Sequence, residues 1–176
     1  MRGCRTLVEV GRRQFLKGSA LAAAGAAATA LPAGAAKART AAAARVDYPS
    51  NRLANIADLK ENLPLDVAYP DPDSPGVLLK LGQRVEGGVG PDGDVVGFST
   101  LCPHKGFPLL YDPGDRTFNC PGHYSRFDPE RGGLQIWGQA TQNLPQFILR
   151  VDDAGDIHAE GVDELIYGRL SNVLAG

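Results

Sequence analysis

The 176-residue chain carries 18 Lys and Arg against 20 Asp and Glu, and holds only 3 Cys and 3 His. Without its first 38 residues, which read as a removable signal, 12 basic and 19 acidic residues remain, a net charge of −7; this excludes a nucleic-acid binder held by phosphate contacts. About 138 residues are then left, enough for one domain with an adequate core.

Residues 1–38 have the order of an export signal. Gly11-Arg12-Arg13-Gln14-Phe15-Leu16-Lys17 resembles the twin-arginine signal, lacking only the usual Ser or Thr before the Arg pair. An Ala-rich apolar run follows from Gly18 to Leu31, then the small-residue stretches Ala33-Gly34-Ala35 and Ala36-Lys37-Ala38, where cleavage is expected. The run is short and mostly Ala and Gly, so its gain in lipid is weak beside the roughly 20 apolar residues of a membrane helix. No stable membrane span is expected, and the mature protein is placed in the periplasm. The twin-arginine route carries folded proteins. Cys4 lies ahead of the apolar run and is given no role. Residues 39–45 read as a flexible leader, and residues 46–176 as the folded domain.

Within that domain, Asn55–Asn62 reads as a short helix ended before Pro64. After the turn-rich Tyr69–Gly76 come two strand patterns, Val77–Leu81 and Asp94–Thr100, joined across a Gly-rich hairpin. Arg116–Cys120 and Ser125–Asp128 read as short strands, and Phe147–Asp153 with Asp156–Val162 as another hairpin turning at Ala154-Gly155. His158 reads as an ordinary exposed strand residue. The tail Val162–Leu174 fits a short helix or a strand with a tail. Short strands, frequent turn signals and no long helix indicate an antiparallel all-β domain. Phe118, Leu134 and Trp137 are expected to lie in the core beneath the site.

Chemistry concentrates between Cys102 and His123. Cys102-x-His104 and Cys120-x-x-His123 are two ligand pairs with fifteen residues between them, and Pro103, Pro121 and Gly122 mark tight loops. Two such loops face to face offer two thiolates and two imidazoles. That set suits tetrahedral zinc, or a 2Fe–2S cluster in which two His replace two Cys on one iron. A zinc finger, however, has its Cys pair first and its His pair on a helix, whereas here the ligands alternate.

The two loops resemble those of the Rieske family, C-x-H and C-x-x-H. The resemblance implies a β-sandwich base with a small cluster-binding β subdomain, about 98–137, inserted in it, and a 2Fe–2S cluster with Cys102 and Cys120 on one iron and His104 and His123 on the other. It also implies that Ser125 hydrogen-bonds a bridging sulfide. Respiratory Rieske proteins add a Cys to each loop, forming a disulfide; here Phe107 and Gly122 stand at those positions. They also place a Tyr four residues after the second His, where this chain has Phe127. Beyond the loops, PLDVAYPDPDSPGVLLKLG, CPHKGFPLLYDPGDRTFNCPGHYSRFDPERGG and QATQNLPQFILRVDDAGDIHAEGVDELIYGRLSNVL are similar to the small subunits of bacterial arsenite oxidases. That resemblance implies a molybdopterin-containing large subunit as partner and a periplasmic cytochrome c or small copper protein as acceptor. A Rieske subunit of another exported oxidoreductase or of a bc-type complex is the alternative.

Overall fold

The computed structural model describes residues 47–173. Ten strands lie within them: β1 Asn51–Asn55, β2 Leu65–Ala68, β3 Pro75–Lys80, β4 Val95–Ser99, β5 Leu110–Asp112, β6 Thr117–Asn119, β7 Arg126–Asp128, β8 Leu134–Trp137, β9 Phe147–Val151 and β10 Asp156–Val162. They form three antiparallel sheets, ordered β1-β10-β9, β2-β3-β4 and β5-β6-β7-β8. The third is inserted between β4 and β9, whose ends meet through a bridge from Phe98 to Gln146. The antiparallel all-β expectation holds.

The middle sheet explains the unbroken apolar runs. Successive strand residues face opposite ways. In β3, Val77 and Leu79 enter one core with Phe98, Phe118, Phe127, Leu144, Cys102 and Cys120. Leu78 enters a second core with Tyr69, Phe147, Leu149 and Ile157. A strand covered on both faces has no polar position to alternate with. Each such side chain contributes about 1.5–3 kcal/mol by leaving water. The first core lies directly beneath the two Cys, so the site rests on packed rings rather than on loop alone.

The outer sheet is tied by charge. Arg52 on β1 donates to Asp156 on β10 at 2.8 Å, and Asn55 donates to the same carboxylate at 2.8 Å. The Arg52 and Asn55 hydrogen bonds hold the Asp156 carboxyl down at about 2.

Four expectations fail. The helix at 55–62 is a single 3-10 turn, Ile56–Asp58, capped by Asn55, whose side chain accepts from Ala57 N–H while its N–H donates to Asp58. Leu59 returns at once to extended backbone because its side chain is buried in the second core. Beyond the end of β10 at Val162, residues 163–173 are neither helix nor strand: buried Asn172 accepts from Ile166 N–H and donates to Glu164 and Tyr48, while Arg169 pairs with Asp71. Side-chain bonds replace a backbone ladder there. Phe118 is buried as expected, but Trp137 is 68% and Leu134 38% exposed, because register places Trp137 opposite Arg126 on the outward side of the third sheet. His158 is half-buried rather than exposed, with Nε2 at 3.1 Å from Asp152.

Among the described residues no helix is long and apolar enough to cross a membrane. The segment read as an export signal, with Arg12, Arg13, Cys4 and the run Gly18–Leu31, and the leader read at 39–45 lie outside them.

Candidate functional site

The two ligand loops close in the same way. In the first, Cys102 N–H donates to Phe107 O at 2.9 Å and Gly106 N–H to Cys102 O at 2.7 Å. In the second, Cys120 N–H donates to Ser125 O at 2.8 Å and Tyr124 N–H to Cys120 O at 3.1 Å. The fifth residue of each loop is left-handed, Gly106 at φ 70° and Tyr124 at φ 61°. The first loop is pinched at its base by a bridge from Leu101 to Pro108, and the second springs from the β6–β7 pair. Closure by backbone bonds leaves the Cys and His side chains free to point at one another.

They do so in two layers. Cys102 and Cys120 are buried, unbridged, and within hydrogen-bonding reach of each other. Burial pushes the Cys102 thiol up, and the amides of His104 and Lys105 pull it back by donating to the sulfur. Above them the rings of His104 and His123 lie 4.7 Å apart at 79°. His104 Nδ1 is buried and has no hydrogen-bond partner, a costly state for an imidazole nitrogen unless a metal takes its lone pair. His123 is exposed at the outer edge. A two-iron cluster asks only for one ligand pair per iron, and that is what the sulfur pair and the imidazole pair offer.

Phe107 and Gly122 stand together. A Cβ on Gly122 would come within 2.8 Å of the Phe107 ring, which also meets the His123 ring edge to face at 5.6 Å. An aromatic contact therefore spans the two loops at these positions. Phe127 is fully buried in the same core as both Cys, opposite Phe118 in register.

Ser125 has no exposure, and its Oγ accepts from Gln139 N–H at 3.1 Å and Ala140 N–H at 3.0 Å. A hydroxyl has two lone pairs and one hydrogen; with both lone pairs taken, only the hydrogen remains to be given, on the side away from the amides. Gly138, at φ 97°, lets this turn approach, since a Cβ there would lie 2.4 Å from Ser125 Cα. Sequence reasoning missed this third segment, because backbone donors leave no side-chain signature; Gly138 was its one visible signal.

The comparisons agree with this architecture. The Rieske [2Fe-2S] domain family model matches residues 52–148. The chain is 44% identical over 133 residues to the iodate reductase subunit IdrB of Denitromonas iodatirespirans, covering 74% of this chain and 71% of that one. It is 41% identical over 129 residues to the corresponding subunit of Pseudomonas sp. (strain SCT), covering 72% and 67%. The soluble domain of Rieske protein II (soxF) from Sulfolobus acidocaldarius superposes with a TM-score of 0.58 at 27% identity, over 65% of this chain and 78% of that one. With the two loops, the layered sulfur and imidazole pairs and the inserted sheet, these matches make the chain a member of the Rieske [2Fe–2S] family, with a Rieske-type 2Fe–2S cluster as its cofactor.

Proposed function

We propose that this chain is the electron-transfer subunit of an exported oxidoreductase acting on an inorganic oxyanion, with the cluster held by Cys102 and Cys120 on one iron and His104 and His123 on the other. The observation that carries the reading is the exposed edge of His123 above a buried sulfur pair. Bound there, the cluster takes up and releases one electron at a time. The buried sulfurs and the first core would keep water from the cluster, Ser125 would offer it a hydrogen bond, and His123 would connect it to the surface.

The finer reading is the small subunit of an arsenite oxidase, supported by the collinear stretches of sequence. Electrons would then arrive from a molybdopterin-containing large subunit and leave to a periplasmic cytochrome c or small copper protein. The second reading, favoured by the 44% and 41% identities, is a subunit of an iodate reductase, in which electrons run the other way. The direction of flow separates them. In the purified complex, oxidised and free of oxygen, arsenite should raise the Rieske electron paramagnetic resonance signal. If iodate instead erases that signal from the reduced complex, and arsenite does nothing, the arsenite reading falls.

Export is part of the proposal. Arg12→Lys combined with Arg13→Lys should hold the protein in the cytoplasm with its cluster present. Fractionation that still finds the double variant in the periplasm would overturn the route.

A further inference from the structure

Two large aromatic side chains stand in water beside His123: Tyr124 is 74% and Trp137 68% exposed. The fold itself calls for neither. Tyr124 occupies the left-handed position that the first loop fills with Gly106, where a glycine costs nothing and a bulky residue is strained. Trp137 ends a row, Leu110–Asn119–Arg126–Trp137, that crosses the third sheet on its outward side. A solvated sheet face ordinarily turns polar residues outward, yet both ends of this row are large and apolar, and Leu110 is 63% exposed. Beside the row, His123, Tyr124, Gln135, Trp137, Gly138 and Gln139 line an open groove of about 490 Å³.

Charge marks the same face. Of the 20 Asp and Glu in this acidic chain, none falls within residues 95–111, 116–127 or 132–151, which include both ligand loops and β8. Asp112, Asp115 and Asp128 border the row; Asp115 already pairs with Arg126 and Asp128 with Arg131.

We propose that this face, with the Tyr124–Trp137 groove at its centre, is where the chain docks onto the catalytic subunit of its oxidoreductase. The partner's contribution is an apolar side chain seated between the two rings. The proposal rests on the reading of the chain as an electron-transfer subunit. A lasting interface must dehydrate its centre, and unpaired carboxylates make that costly; this face has none in its ligand loops or along β8 to dehydrate. Trp, Tyr and Arg are also the side chains on which binding energy concentrates. Charge argues for a permanent partner over a diffusing acceptor. Steered redox encounters use charged patches, whereas here the Arg of the row is neutralised by its own neighbour and a single exposed cation, Lys105, stands in the ligand loops.

The test uses the whole chain co-expressed with its large subunit, and the variants Trp137→Ala and Tyr124→Gly. Both side chains lie outside the cores, so each variant should keep the Rieske resonance signal and a near wild-type melting temperature. Dissociation of the two subunits should become about 30-fold or more easier for Trp137→Ala, with a smaller change for Tyr124→Gly. An unchanged dissociation constant in both overturns the proposal. So does an unchanged complex that passes electrons more slowly to a soluble acceptor, since the face would then belong to that acceptor. A wild-type dimer of this chain that Trp137→Ala splits, with the large subunit still bound, assigns the face to a second copy instead. A wild-type protein without the Rieske signal would count against the cofactor reading, a result independent of the docking measurement.

Discussion

Replacing His104 or His123 by Ala is expected to abolish the Rieske resonance signal and to lower the melting temperature to that of wild-type protein stripped of its cluster. The two loops close internally through backbone bonds, and the Phe107 contact with Gly122 and His123 is the aromatic bridge between them. Metal binding is therefore also folding energy. In a domain of this size each 1 kcal/mol lost moves the melting temperature by about 4 °C. The cluster-free comparison adds a sign. Without the cluster, His104 has no ligand bond left for the alanine to remove. So His104→Ala should destabilise the loaded protein strongly and the cluster-free protein little. Calorimetry on both forms, with spectra of each variant, checks this. An intact Rieske signal in either variant would falsify the ligand set.

What could be read from sequence alone follows from how local each feature is. The ligand pairs are legible because the loop that holds each one is only a few residues long, and the spacing of Cys and His is itself the geometry. β3 and β4 are legible because burial on both faces makes them continuous apolar runs. β1, with Asn and Arg among its five residues, and β5, with only three, have no such run and stand as strands only through their partners. Trp137 shows where hydrophobicity misleads. Its side chain suggests the core, but which face it takes is set by pairing with Arg126 across β7–β8, and register depends on the whole sheet. The donors to Ser125 are main-chain amides of Gln139 and Ala140, and no side-chain pattern could have announced them.

Phe127→Tyr should raise the reduction potential of the cluster by roughly 30–70 mV. Reduction adds negative charge, so a hydroxyl donating to a ligand sulfur stabilises the reduced form and raises the potential. A hydrogen bond to a charged acceptor is worth about 1.5–3 kcal/mol, and about 1.4 kcal/mol is roughly 59 mV for one electron, giving a ceiling of about 60–130 mV. Only the change in bond strength between the two oxidation states counts, which places the expected shift in the lower half. The structure supplies a second observable. Phe127 has no exposure and lies in the core with Cys102 and Cys120, so a new hydroxyl there either finds the sulfur or stays unpaired. An unpaired buried hydroxyl costs about 1–3 kcal/mol. If the sulfur accepts, the potential rises while stability nearly holds. If it does not, the melting temperature falls by several degrees and the midpoint stays where it was. Potentiometric titration and thermal unfolding of the same sample decide between them, and an unmoved midpoint in a destabilised protein means that the ring edge of Phe127 points away from the ligand sulfurs.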